Sequence, residues 1–437
     1  MHIHAYLQLC SLVESGEEFM CTKNITIIGA GPIGLETALY AQELGYEVTI
    51  FEKGNIAENI QSWGHVRLFS PFAMNTSPLG LQLLHRHHPE WQQPEENAYL
   101  TGIEFLNAYL KPLSQLPQIN QNLKTETRVI CLSRNDVLKG EFIGRPERAT
   151  RPFRILTEDK TGQERINSAD IIIDTSGVYD NPNWLGSGGI PAVGERNSRP
   201  HIDYHLKDIY GKDREKFANK RTLLIGSGYS AATAVIDFEN LIREEPATSL
   251  LWVVRGSSQN PIPVIEDDQL AGRERLTARA NRIAKGNTTN IEFKNQTSIE
   301  AIQYFGDKRE FTVELRYKGK LETIHVDNVL ANVGYGPDNS IYRELQIHEC
   351  YASRGPMKLS AALLGSASAD CLTQQSLGAE TLKNPEPNFF IIGSKSYGRN
   401  STFLIRTGLS QIVEVFSLIN ENPELNLYKN SLTEEVN

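Results

Sequence analysis

One pattern occurs twice along the chain: a short apolar segment, a glycine-rich turn, an amphipathic segment and a second short apolar segment. The first copy runs from Asn24 to Phe51, and the second runs from Arg221 to Val254. Short β-branched runs bounded by glycine are typical of buried parallel strands, and the amphipathic segments between them have the length of helices. The pattern therefore predicts an α/β fold with two doubly wound, Rossmann-like units.

The remaining apolar segments indicate how the two units are arranged along the chain. Three further strands are predicted at 169–174, 326–331 and 388–393, followed by a helix over 404–420. The second unit is predicted to be inserted in the first, and the residues after Pro423 are polar and expected to fray. The predicted boundaries are an N-terminal extension at 1–22, the first unit at 23–215 and 330–425, the inserted unit at 216–329, and a tail at 426–437.

Composition and charge exclude several classes of protein. The chain has 437 residues, of which 40% are hydrophobic, so wholesale disorder is excluded. Its net charge is −9, so the chain lacks the excess of basic residues with which proteins bind nucleic acid. No uninterrupted apolar run approaches the roughly 18 residues that a membrane span needs, and the N-terminal stretch has acidic residues instead of a signal peptide's basic start. We expect a cytoplasmic protein that acts on a small molecule.

The cysteines and histidines do not form a recognisable redox or metal motif. The five cysteines are scattered, which suits reduced thiols in a cytosol-like compartment and excludes a Cys-x-x-Cys redox pair. His85 and His88 have helical spacing, but the intervening Arg86 opposes a cation and no carboxylate or thiol stands at ligand spacing. No metal site is predicted. The cysteines are Cys10, Cys21, Cys131, Cys350 and Cys371.

The first glycine-rich turn has the spacing of a dinucleotide-binding loop. Gly29, Gly31 and Gly34 match G-x-G-x-x-G after a strand and at the start of a helix, where they allow a tight turn, close approach of a diphosphate and close helix packing. Pro32 suits the first helical position, and Ile33 follows it in the loop. The helix N-terminus would face the phosphates with its partial positive charge.

An acidic residue stands where such loops need one. Glu52 ends the next strand, 52 − 29 = 23 positions after Gly29, close to the spacing expected of a carboxylate that binds a ribose hydroxyl. Glu52 and the adjacent Lys53 are therefore candidate dinucleotide contacts. The alternative is a glycine turn that serves packing alone, with Glu52 as a solvated strand end.

The second glycine-rich turn has the variant form G-x-G-x-x-A and lacks an acid after its second strand. Arg255 stands there instead, and a guanidinium can bind a 2′-phosphate that an acid would repel. This favours NADPH over NADH, the alternative being that Arg255 only points to solvent. The candidate contacts of the turn are Gly226, Gly228, Tyr229, Ser230 and Ala231.

Two such units in one chain resemble the flavoproteins with two dinucleotide-binding domains, in which the first domain binds FAD and the second binds NAD(P)H. The stretches 174–177 and 332–335 are similar to the crossovers between those domains, and 389–393 is similar to the last flavin-contacting strand. The family commonly has an aspartate after Gly393, whereas this chain has Ser394, a candidate ribityl contact. The resemblance also implies that the helix starting near Thr407 points at the flavin.

Within those flavoproteins, the stretch 66–77 resembles the Asn-x-Ser segment of flavin-containing and N-hydroxylating (class B) monooxygenases. The resemblance implies that Asn75 lies near the flavin and the nicotinamide, although a turn-stabilising role is the alternative. Arg67 is a candidate partner of FAD phosphate or of a substrate carboxylate. The family's histidine–tyrosine motif is only partly matched by His201 and Tyr204, so the chain resembles a relative of this class.

The resemblance implies a monooxygenase that uses FAD, NADPH and O2 and inserts one oxygen atom into a small organic substrate through a C4a-(hydro)peroxyflavin. Three other functions stay open at this point. They are a flavin reductase or dehydrogenase that does not activate oxygen, a flavin-dependent halogenase, and a nucleotide sensor without catalytic activity.

Overall fold

A computed structural model describes residues 23–286, 288–365, 372 and 376–433. The predicted N-terminal extension, residues 434–437 of the predicted tail, and Cys10, Cys21 and Cys371 lie outside these residues. The strands are β1 (Asn24–Ile28), β2 (Glu47–Phe51), β3 (Leu123–Lys124), β4 (Thr127–Arg134), β5 (Phe153–Asp159), β6 (Glu164–Ala169), β7 (Ile171–Asp174), β8 (Arg221–Ile225), β9 (Ser249–Val253), β10 (Ile291–Lys294), β11 (Thr297–Phe305), β12 (Glu310–Tyr317), β13 (Lys320–Val326), β14 (Asn328–Ala331) and β15 (Phe389–Ile391).

Helices alternate with strands around the two glycine-rich turns, in the orders β1-α1-β2 and β8-α9-β9-α10-β10. A π-helical turn, Leu106–Leu110, joins α4 to α5. The helices are α1 (Pro32–Glu43), α2 (Glu58–Ser62), α3 (Pro78–His87), α4 (Gly102–Phe105), α5 (Lys111–Gln115), α6 (Pro117–Asn120), α7 (Glu195–Ser198), α8 (Arg214–Phe217), α9 (Tyr229–Glu244), α10 (Ala271–Ala284), α11 (Met357–Gly365), α12 (Ile405–Ile419) and α13 (Leu427–Thr433).

The first unit is built on a five-stranded parallel sheet with the strand order β15-β7-β1-β2-β3. Its central strands β1 and β7 are short and almost fully buried because helices cover the sheet, as in other doubly wound folds. The order changes direction on either side of β1, so a crevice opens at the carboxyl ends of the neighbouring strands. An antiparallel sheet of β4, β5 and β6 is attached to this unit.

The second unit repeats this arrangement on a four-stranded parallel sheet with the order β10-β9-β8-β14, and an antiparallel sheet of β11, β12 and β13 accompanies it. The predicted fold class, two Rossmann-like units with the second inserted in the first, is confirmed. No helix among the described residues is long and apolar enough to cross a membrane.

The second unit extends beyond the predicted limits of 216 and 329. Strand β14 pairs with β8 as far as Ala331. Upstream of 216, Leu185, Ile202 and Tyr204 belong to the same buried cluster as residues of β8 and β9, and Asp203 bridges to Leu330. Residues 180–199, whose proline and glycine content is typical of a linker, therefore contribute Leu185 and Ala192 to the core of this unit.

The C-terminal residues also differ from the prediction. The segment expected to fray forms helix α13, which packs against the first unit. The backbone N–H of Leu427 donates to the hydroxyl of Tyr40 at 3.0 Å, and the ring of Tyr428 meets that of Tyr40 edge to face at 5.2 Å. Burial of these apolar and aromatic groups outweighs the polar composition of the segment, so the prediction of a frayed end was wrong for 427–433.

Candidate functional site

The turn between β1 and α1 is shaped by its glycines. Gly29 has a φ of +100°, a conformation that favours glycine. A Cβ on Gly34 would clash with the carbonyl oxygen of Gly29, so glycine lets α1 approach the turn closely. Around Gly31, by contrast, a Cβ would meet no atom within 4 Å. Pro32 is the first residue of α1, where its missing N–H leaves no bond unmade. The turn thus presents open space in front of a helix N-terminus.

Glu52 ties this turn to the end of β2. Its carboxylate accepts from the backbone N–H of Ala30 at 2.8 Å and from that of Gly54 at 3.0 Å. Burial raises the pKa of Glu52, and the two backbone bonds oppose that rise. A carboxylate oxygen can accept more than one bond, so Glu52 can hold the turn and still bind a hydroxyl.

A cavity of about 550 Å³ opens beside the turn, at the carboxyl ends of β1 and β2 and the start of β4. Gly29, Glu52 and Lys53 form part of its wall. The ammonium of Lys53 pairs with the carboxylate of Asp180 at 2.5 Å across the opening. The size, the glycine turn and the acid at the strand end fit the adenosine and diphosphate part of a dinucleotide.

The carboxyl ends of β7 and β15 add a buried ion pair that the sequence analysis missed. The ammonium of Lys395 lies 2.6 Å from the carboxylate of Asp174, and both side chains are 2% exposed or less. Lys395 forms part of the cavity wall, whereas the predicted contact, Ser394, has its hydroxyl 3.4 Å from the Cβ position of Gly177. The available signal was a lysine directly after the glycine and serine that end an apolar strand.

The C-terminal part of the first unit meets the first turn at Ile33. A Cβ on Gly393 would lie 3.6 Å from Ile33, and a Cβ on Gly408 would clash with it. Helix α12 begins at Ile405, one residue after the start predicted for the helix over 404–420, and its first turn lies beside that of α1. Two helix N-termini therefore converge next to Ile33, and their partial positive charges suit an anionic ligand.

The second turn, between β8 and α9, has the same construction. Gly226 has a φ of +142°, and a Cβ there would clash with the carbonyl oxygen of Asn332 in the second crossover. Around Gly228 no atom lies within 4 Å of a Cβ position. Tyr229 and Ser230 start α9 and Ala231 is fully buried in its first turn. This turn also leaves room for a diphosphate at a helix N-terminus.

Arg255 lies just beyond the end of β9 and is exposed to solvent. We expect Arg255→Ala to raise the KM for NADPH about tenfold or more, because a charge-assisted contact to the 2′-phosphate is lost, and to leave that for NADH within about twofold. Anaerobic flavin reduction at varied coenzyme concentration measures both constants, with Arg255→Lys as the charge-retaining control. Equal losses with the two coenzymes would show that Arg255 does not read the phosphate.

Asn75 is buried, and both polar atoms of its side chain form hydrogen bonds within its own loop. Its amide nitrogen donates to the carbonyl of Pro71 at 3.0 Å and to that of Ser70 at 3.3 Å, while its amide oxygen accepts from the Ser70 hydroxyl at 2.9 Å. This bonding is that of the turn-stabilising alternative. Arg67 is exposed, and its guanidinium donates to the carbonyl of Tyr99 and lies 3.8 Å from Glu104.

The segment 66–77 lies between the two units and contacts both. Val66 packs against the core of the second unit and Leu68 against that of the first. The ring of Phe69 meets that of Tyr229, at the start of α9, edge to face with centroids 5.5 Å apart, and it lies 3.7 Å from the Cβ position of Gly272 in α10. The segment thus contacts the cores of both units and covers the start of α9, beside the second dinucleotide turn.

A buried carboxyl group anchors the end of this segment. Glu36 in α1 accepts from the hydroxyl of Ser77 at 2.7 Å and from that of Tyr109. Burial raises the pKa of Glu36 to about 7, and the hydroxyl bonds oppose the rise. The hydroxyl of Tyr428 is buried nearby.

This carboxyl predicts a pH dependence of stability. A folded-state pKa of about 7 against 4.5 means that Glu36 in the folded protein binds a proton that it releases in the unfolded chain, so the contribution of Glu36 to stability falls by roughly 3 kcal/mol as pH rises between those values. We expect Glu36→Gln to make the urea unfolding free energy fall less steeply with pH over this window, and Glu43→Gln, on the exposed side of α1, to leave the slope unchanged. An unaltered slope in Glu36→Gln would contradict the assignment.

The amino-acid sequence is similar to those of known oxidoreductases. Residues 26–140, which include the first turn and β2, match the family model described as pyridine nucleotide-disulphide oxidoreductase. The chain is 21% identical over 335 residues to the bacilliredoxin reductase Bdr of Bacillus subtilis. The aligned region covers 75% of this chain and 82% of that protein.

Solved structures share the fold over nearly the whole chain. The bacillithiol disulfide reductase Bdr of Bacillus cereus superposes with a TM-score of 0.65 at 19% identity, covering 92% of this chain and 99% of its own. The ornithine N-hydroxylase KtzI of Kutzneria sp. 744 gives a TM-score of 0.60 at 13% identity, with the same coverage. The chain is an FAD- and NAD(P)H-dependent oxidoreductase. Disulfide reductases and N-hydroxylating monooxygenases share the fold of this oxidoreductase, so the fold itself is common to both reactions.

Proposed function

We propose that this oxidoreductase is an NADPH-dependent monooxygenase that inserts one atom of O2 into a small organic substrate. The other oxygen atom leaves as water, and NADPH with one proton supplies the two electrons and the hydrogens. FAD, when bound, supplies the redox chemistry of such a reaction. The observation that carries the proposal is the segment 66–77, which contacts the cores of both units and covers the start of α9 with the ring of Phe69.

Oxygen transfer needs a site from which water is excluded, because water diverts the reducing equivalents to hydrogen peroxide. Phe69 covers the start of α9 with an aromatic ring, and the ring of buried Phe72 packs against that of Tyr109 with centroids 5.9 Å apart. We assign Asn75 a positioning role, since its amide fixes Ser70 and Pro71 between these two rings. Arg255 would select NADPH, and Glu52 with the first turn would hold the cofactor.

The test is the fate of heavy-oxygen-labelled O2. The FAD-loaded protein is incubated with NADPH and a panel of amines, thioethers and ketones, and the products are weighed by mass spectrometry. We expect one labelled oxygen atom in a product, and a larger share of hydrogen peroxide with Phe69→Ala than with Phe69→Leu. NADPH oxidation that yields only hydrogen peroxide with every substrate would overturn the proposal.

A specific observation favours disulfide reduction as a second candidate function. The thiol of Cys350 is buried in a turn beside Ser353, whose backbone N–H and hydroxyl lower its pKa, which increases the thiolate fraction. The Bacillus cereus protein named above is a bacillithiol disulfide reductase. NADPH-dependent reduction of a low-molecular-weight disulfide, lost in Cys350→Ser and retained in Cys131→Ser, would favour this candidate.

A further inference from the structure

The ammonium of Lys395 occupies a buried position in the wall of the 550 Å³ cavity. It donates to Asp174 at 2.6 Å and to the hydroxyl of Ser176 at 3.1 Å, and the ring of Tyr342 lies 5.0 Å away. The backbone N–H of Ser176 donates to the other oxygen of Asp174 at 3.0 Å. These contacts fix the side chain in one place between the first crossover and the end of β15.

The wall of this cavity contains three cationic side chains, those of Lys53, Arg128 and Lys395, and three acidic ones, those of Glu52, Asp180 and Asp338. Lys53 and Arg128 also form its wall, but Lys53 is paired with Asp180 and half exposed, and Arg128 is exposed. Lys395 is the buried cation among these three. A cation held away from water interacts more strongly with an anion than an exposed one does, because less of the field is screened.

We infer that Lys395 is a binding residue for the diphosphate of the dinucleotide held at the first turn. An ammonium group has three N–H donors, of which Asp174 and Ser176 take two. Asp174 thereby orients a cation toward the cavity in addition to neutralising it. The inference rests on the FAD site alone and is independent of whether the reaction is monooxygenation or disulfide reduction.

Under this inference Lys395 both binds the diphosphate and neutralises Asp174, and a double substitution distinguishes these two roles. Lys395→Met alone removes the cation and also leaves Asp174 buried without its partner, which lowers stability. Asp174→Asn in the same chain removes that unpaired charge. We therefore expect the double variant to recover most of the thermal stability lost by Lys395→Met, but none of the diphosphate affinity.

Apoprotein is titrated with ADP and with adenosine. The Kd for adenosine divided by the Kd for ADP measures the contribution of the diphosphate, independently of any general loosening of the protein. We expect this ratio to fall about tenfold or more in Lys395→Met and in the double variant. It should be unchanged in Lys383→Met, which removes an exposed lysine paired with Glu380.

Lys395→Arg keeps the charge and should retain most of the preference for ADP. This variant therefore distinguishes the loss of the charge from a folding defect in the methionine variant. FAD affinity, followed by flavin fluorescence, should change in parallel with the ratio. A double variant that is folded and keeps the unaltered ratio would overturn the inference and leave Lys395 as a counterion of Asp174 only.

Discussion

Gly31→Val is expected to give a folded protein that purifies without its yellow cofactor. Gly31 has φ −81° and ψ −173°, an extended conformation that valine adopts without strain, so the backbone of the apoprotein tolerates the change. The added methyl groups would fill the open space that a diphosphate must enter. We expect FAD occupancy, read from the absorbance ratio of flavin to protein, to fall at least about tenfold.

Gly140→Val is the matched control, because Gly140 is exposed and a Cβ there also meets no atom within 4 Å. It should leave both occupancy and thermal stability unchanged. Full FAD occupancy in Gly31→Val would show that the first turn does not hold the cofactor.

Glu386→Ala is expected to cost about 3–5 kcal/mol of unfolding free energy, because it leaves two buried guanidinium groups without their shared anion. The carboxylate of Glu386 lies 2.8 Å from Arg134 and 2.8 Å from Arg148, and all three side chains are 1% exposed or less. It also accepts from the backbone N–H of Gln346 at 2.8 Å. The network joins β4 to the segment before β15.

Urea unfolding followed by circular dichroism measures this loss. Glu380→Ala is the control, since Glu380 forms an exposed ion pair with Lys383 and such pairs contribute about 0–1 kcal/mol. A loss in Glu386→Ala no larger than that of the control would show that the buried network contributes little to stability.

Local features of the first turn could be predicted from the sequence, because strand, turn and helix are consecutive and the glycine spacing fixes their geometry. Glu52 was located for the same reason, since one helix separates it from Gly29. The pair of Lys395 and Asp174 could not be found this way, because 221 positions separate the two residues and sheet topology alone brings them together.

The side-chain contacts of Asn75 could not be predicted from the sequence for a different reason. A motif resemblance identifies a residue type at a position, but the direction of its amide depends on Ser70 and Pro71, whose conformation the pattern does not specify. Helix α13 was missed because docking on Tyr40, 387 positions away, stabilises a segment whose own composition is polar.

The placement of β15 beside β7 determines the order in which the two units become complete during synthesis. The second unit is one continuous stretch ending at Ala331, so its sheet can close while the ribosome is still translating the rest. The first unit begins at Asn24 but needs a strand that ends at Ile391. Until β15 has been synthesised, the edge of β7 therefore stays unpaired. The cofactor then binds late, after nearly the whole chain has left the ribosome.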